Sequence, residues 1–203
     1  MKPALGALAL ALLVAACSQQ AKSTATSSPS PAPKATNPLT FPLYQDSAIL
    51  TARPHEVIAE TPATLEQLGA WIAQESANPP SGYEVAASGS TMDTAHAHAK
   101  AMGVEFQVFT HAVNGKTRVL IVAALDPVTF NEKAGPTLEL IDKYPLLPES
   151  FRAPIDKQVQ ERTGFTVSQA LDASQPIGAA LAAAKELRNS GQRGLVLVDA
   201  AKE

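Results

Sequence analysis

The chain has 203 residues, 45% hydrophobic, 17% charged and 5% aromatic, with a net charge of −3. That length allows one domain, or one domain with appendages, and the charge balance lacks the basic excess of a nucleic-acid binder. Cys17 is the single cysteine, which excludes a disulfide framework and any cysteine-rich zinc module.

Met1-Lys2-Pro3 precedes an unbroken small and apolar run from Ala4 to Ala16, and Cys17 follows at once. One positive residue before such a run is a secretory signal pattern. The run is too short to span a bilayer as a helix, which takes roughly 20 apolar residues. Val14-Ala15-Ala16-Cys17 resembles the lipobox of bacterial lipoproteins: an aliphatic residue, two small residues, then the thiol. The resemblance implies that residues 1–16 are a signal peptide and that Cys17 is lipidated through its sulfur. Each buried CH₂ of the acyl chains contributes roughly 0.8 kcal/mol, so two or three chains make a durable membrane anchor. Ser18 stands where an Asp would retain such a protein in the inner membrane. By the sorting rule of Gram-negative lipoproteins this implies the outer membrane, with the rest of the chain facing the periplasm.

Residues 17–40 are expected to be a lipidated cysteine and a disordered tether. Ser, Thr, Ala and Pro dominate from Ser18 to Thr40, with no aromatic and no acidic residue. Such a stretch cannot bury enough apolar surface to offset its chain entropy. Pro29-Ser30-Pro31-Ala32-Pro33 favours extended polyproline II. Fully extended, the tether reaches at most about 80 Å, and as a coil roughly 25–30 Å.

Every aromatic residue lies at or beyond Phe41, so residues 41–203 read as the single folded domain. Lys2, Lys22 and Lys34 lie outside it, which leaves the domain more acidic than the chain as a whole. Phe41-Pro42-Leu43-Tyr44 is an extended opening, because a residue before proline avoids the helical region. Ala48–Ala52 reads as a first strand, which Val57–Glu60 extends or follows with another. A helix is expected from Thr61 as N-cap and Pro62 as first residue, with Leu65, Leu68 and Ile72 at helical spacing and a stop by Pro79-Pro80. Tyr83–Ala87 reads as a strand. Asp93 is expected to cap a helix over Thr94–Met102, ended by Gly103.

Asn114-Gly115 between Val104–Val113 and Lys116–Leu125 predicts a type I′ hairpin. Pairing Val113 with Lys116 sets Leu120 beside Phe109 and Arg118 beside His111. The second strand of this hairpin is apolar on both faces, which predicts a central strand covered on both sides. After Asp126-Pro127 the pattern turns helical. Helices are expected from Pro136 to Lys143, from Pro154 to Gly164 with Ile155 and Val159 inward, and from a Ser174 cap, burying Ile177, Ala180, Leu181, Ala184 and Leu187. Gly194–Asp199 reads as a final buried strand. The predicted class is α+β: a mainly antiparallel sheet with a central hairpin, packed by several helices.

A second resemblance rests on the order of elements. Phe41-Pro42-Leu43-Tyr44, an Ala-centred strand, a helix with Leu65 and Trp71, Gly82-Tyr83-Glu84-Val85, and a hairpin ending Thr117-Arg118-Val119-Leu120-Ile121-Val122 resemble a module of small uncharacterised bacterial envelope lipoproteins. The likeness covers 41–125 and carries no catalytic residue with it. It departs at Gln45, where the module has a second proline.

No catalytic residue, metal site or cofactor is predicted. His96 and His98 share a face only on a strand, and the surrounding pattern is helical. His55 and His111 would join a metal site only by proximity that spacing does not supply. The chain has no G-x-S-x-G, and Ser88-Gly89-Ser90 reads as a turn. Leu195–Asp199 ends like a Mg²⁺-holding strand, yet the chain has no G-x-x-x-x-G-K-[ST] loop to cradle phosphate. The loop Tyr144-Pro145-Leu146-Leu147-Pro148, with Phe151 after it, is a candidate docking edge or a helix connection packed on the core. The expected function is that of a non-enzymatic, membrane-anchored envelope lipoprotein with a partner-binding or accessory role. Its partners would be the membrane, through lipid at Cys17, and an envelope protein, with no nucleic acid. The alternative is a small-ligand or metal-binding periplasmic lipoprotein.

Overall fold

A computed structural model describes residues 36–86, 90–133, 143–163 and 166–201. The expected signal peptide, Cys17, most of the expected tether and most of the helix expected from Pro136 lie outside the described residues. Six strands form one antiparallel sheet: β1 (Ala48–Arg53), β2 (Glu56–Glu60), β3 (Tyr83–Val85), β4 (Val104–Val113), β5 (Lys116–Leu125) and β6 (Gly194–Ala201). Their order across the sheet is β1-β2-β6-β5-β4-β3, so the last strand enters the middle. The helices are α1 (Leu65–Ala77), α2 (Ser90–Ala101), α3 (127–133), α4 (Glu149–Thr163), α5 (Val167–Leu171) and α6 (Pro176–Ser190). A 3₁₀ turn spans Tyr144–Leu146. No helix among the described residues is long and apolar enough to cross a membrane. The α+β class stands as predicted.

The hairpin forms in the predicted register. Val113 pairs with Lys116, Phe109 with Leu120 and His111 with Arg118. Asn114 and Gly115 both take positive φ, 52° and 74°, as a type I′ turn requires. The sheet is covered on both faces because β5 and β6 have no polar face. Ile121, Ala123, Val196 and Val198 pack with Leu181 and Leu187 of α6 and with Ala95 and Ala99 of α2. On the other face Leu120, Val122, Leu195 and Leu197 pack with Leu68 and Ile72 of α1 and with Phe41.

The leading segment is part of that second core. Phe41 is 1% exposed and meets Phe109 at 4.8 Å and Tyr83 at 5.2 Å between ring centroids. Asn37 cinches it, donating from Nδ2 to the Phe41 carbonyl and accepting from the Leu39 N–H, both at 2.9 Å. Thr40 Oγ1 lies 2.8 Å from the Tyr83 hydroxyl.

Several boundaries differ from expectation, each for a local reason. The cap of α1 is Thr64, not Thr61, because Thr64 and Gln67 form a reciprocal capping box. Thr61 is instead buried, its N–H donating to the Arg193 carbonyl at 2.9 Å. The second helix begins at Ser90, which puts Asp93 in its first turn rather than at its cap. Helix α4 begins at Glu149 and takes Pro154 into its interior. The Phe151 and Arg152 N–H groups both donate to the Pro148 carbonyl, so the helix has started before the proline is reached. Ile155 is consequently exposed, and Val159 alone of the expected pair packs on the core. Gln175, not Ser174, caps α6, with Pro176 at its first position. Alpha-helix α5 was not expected.

Gly194 opens β6 where a Cβ would collide with the Ala59 carbonyl of β2. Gly194→Ala is expected to lower stability by about 1–3 kcal/mol, as overpacking against backbone does, read as a shifted denaturation midpoint. Asp126, at the end of β5, accepts from Arg193 Nη2 at 2.9 Å and Thr129 Oγ1 at 2.6 Å. Burial pushes its carboxyl up, but the hydrogen bonds from Thr129 and Arg193 outweigh this and hold it below the usual range. A depressed folded pKa contributes stability above the unfolded value, about 3.9, and loses it as pH falls through the folded value. The stability gap between the native protein and Asp126→Asn should therefore be constant above about pH 5 and shrink below about pH 4.

Candidate functional site

Two constellations emerge on the folded domain, one polar and one apolar. The polar one lies at the end of the sheet that carries the β4–β5 turn. Asp199 alternates with Leu195 and Leu197 and so points to the α1 side, where it is 7% exposed. Arg118 Nε lies 2.9 Å from both carboxylate oxygens, and its Nη2 donates to the Asp199 carbonyl at 2.8 Å. His111 Nε2 lies 2.9 Å from Oδ1, and its ring stacks on Tyr83 at 4.6 Å. His55, just before β2, places Nδ1 3.7 Å from Oδ2 and 3.2 Å from Arg118 Nη2.

A buried carboxylate is costly unless it is paired and hydrogen-bonded, and this one is both. Among the described residues the partners of His111 and His55 are Asp199, Arg118 and the Tyr83 ring. The chemistry of this group is charge neutralisation across β4, β5 and β6.

The predicted candidates are distributed as follows. His55 and His111 do converge, on Asp199. His96 and His98 lie on α2, confirming the helical reading; His96 packs edge-on against Phe106 at 4.4 Å and His98 is exposed. Among the described residues no group of three or more His, Cys, Asp or Glu is placed to hold a metal ion. Cys17 and most of Ser88-Gly89-Ser90 lie outside the described residues.

The apolar constellation is the loop that the sequence singled out. Tyr144 turns inward and is 4% exposed, whereas Leu146 is 82% and Phe151 64% exposed. Phe151 and Ile155 stand one helical turn apart on the outer side of α4. Beneath them Asp156 is a hub. It accepts from the Tyr144 hydroxyl, from the Val167 N–H at 2.8 Å and from Ser168 Oγ at 3.2 Å. Burial, then the hydrogen bond to Asp156, pushes the Tyr144 phenol above its usual range. The hub ties the turn and α4 to the start of α5, so the exposed apolar residues project from a fixed base.

Comparisons with protein-family models, with curated proteins and with solved structures found no match.

Truncating one partner of the polar group tests its role. Asp199→Ala is expected to cost about 3 kcal/mol, by leaving Arg118 Nε and His111 without their carboxylate acceptor while Arg118 Nη2 keeps the backbone carbonyl. Asp199→Leu combined with Arg118→Met should recover most of that loss in the same denaturation measurement, because no unpaired charge remains.

Proposed function

We propose that this chain is a non-enzymatic, lipid-anchored envelope protein whose folded domain docks on a protein partner through the Tyr144–Ile155 segment. The observation that carries the reading is the exposure of Leu146, Phe151 and Ile155 on a base fixed by Asp156. Exposed apolar residues on a rigid support suit recognition, because little chain entropy is lost when they are covered. The lipobox pattern ending at Cys17 and the proline-rich tether support a domain held near a membrane with room to reach.

Replacing Phe151 with a photoreactive aromatic residue should yield one dominant protein adduct on irradiation of intact cells. Phe151→Ser should reduce co-isolation of that protein at least about tenfold, while stability changes by no more than about 0.5 kcal/mol. Cys17→Ser should release the chain from the membrane fraction. A chain that gives no adduct and stays in the soluble fraction with Cys17 intact would sink the proposal.

A further inference from the structure

A groove of about 540 Å³ runs between α1 and the segment just before β1, far from the docking residues in sequence and built from different elements. Its volume lies within the usual range of ligand sites, roughly 300–1,000 Å³. Gln67, Ala70, Trp71, Gln74 and Glu75 supply the α1 wall, and Tyr44 and Gln45 line the other side. These helix positions recur at three- and four-residue spacing: Gln67, Ala70 and Gln74 are exposed, while Trp71 and Glu75 border the buried side of α1, where Trp71 packs on the core beside Leu68 and Ile72.

The lining has a definite chemical character. Trp71 is held in place by Phe41 at 6.3 Å and Tyr44 at 6.2 Å, both nearly perpendicular to it. A fixed indole beside a phenol offers flat apolar surface at little entropic cost. Gln74 and Glu75 make no side-chain hydrogen bond among the described residues, and Gln67 uses only its Oε1, to accept from the Thr64 N–H. The wall therefore presents amide donors, amide acceptors and one carboxylate that accepts only. Ala70 leaves the space between them open.

We propose that this groove binds a saccharide chain of β-1,4-linked pyranose units. In the gluco-configured members of this class, the cellulose- and chitin-type chains, the ring substituents are equatorial, so each ring shows a flat C–H face to an aromatic and a rim of hydroxyls that both donate and accept. A proline-rich peptide would bring carbonyl acceptors to the amides and leave Glu75 without a donor. A quaternary ammonium would use Glu75 and the aromatics and leave the glutamines unused. The sugar brings a flat face to the aromatics, acceptors to the amide N–H groups and donors to Glu75 and the amide oxygens. The site is independent of the anchor and of the Phe151 surface.

Trp71 is the only tryptophan in the chain, so its fluorescence reports this groove directly. Full-length protein in a detergent without a sugar headgroup would be titrated with cellotetraose and with chitotetraose, with calorimetry alongside. At least one should give a saturable change in emission and matching heat. Gln74→Ala and Glu75→Gln should each weaken binding about three- to tenfold, the loss of one hydrogen bond. Ala70→Leu, an exposed position, should abolish binding without moving the denaturation midpoint. Absence of both emission change and heat with the two sugars would overturn the proposal. So would binding that survives Ala70→Leu, or a saturable response only to tetramethylammonium or to a proline decapeptide.

Discussion

The pair β5–β6 governs the rest of the molecule. Both strands are apolar on both faces, and they lie side by side in the middle of the sheet. A two-sided apolar sheet cannot face water, so helices must close over each side. That requirement explains why the chain places α1 and the leading segment on one face and α2, α5 and α6 on the other. It also explains why the final strand is inserted between β2 and β5 rather than added at an edge. Edges are left to β1, which carries a register shift between Ile49 and Thr51, and to the three-residue β3. A bulged edge and a very short edge are both poor templates for pairing with another chain.

Polar groups appear where this apolar slab ends. Asp199 closes one end of the α1 face and Asp126 the other, and each is matched by an arginine from an adjoining strand or its approach. Asp156 does the same work beyond the sheet, satisfying the first amide groups of α5. Each carboxylate joins segments that are distant in sequence, so the three act as fasteners between elements that apolar packing alone would leave free to slide.

Local chemistry carried much of this fold in the sequence. Asn114-Gly115 fixed the hairpin and with it the facing of Arg118 and His111. The two-sided apolar pattern of Val119–Leu125 placed that strand in the centre. Helix α5 escaped because five residues show no periodicity, and its first amides are satisfied by Asp156 from another helix. Pro154 misled for a related reason: proline prefers a first turn, but the start at Glu149 depends on the Pro148 carbonyl. The Asp199 group was half legible. Hairpin register joined His111 to Arg118, while the pairing of β6 with both β2 and β5 is a long-range event with no local signal. The Trp71 groove left only the unusual run of amides along one side of a helix.

The described chain enters the core almost at once: Leu39 packs on it, Phe41 is buried in it, and Asn37 and Thr40 hydrogen-bond around them. Any pull on the chain before Asn37 is therefore delivered to a ring wedged among Tyr83, Trp71 and Phe109, not to a surface loop. The load passes into β4 from the side and is shared by the Thr40–Tyr83 contact and the Asn37 cinch. In mechanical terms the Asn37–Phe41 segment is a toggle seated behind a wall rather than a thread glued to its outer surface.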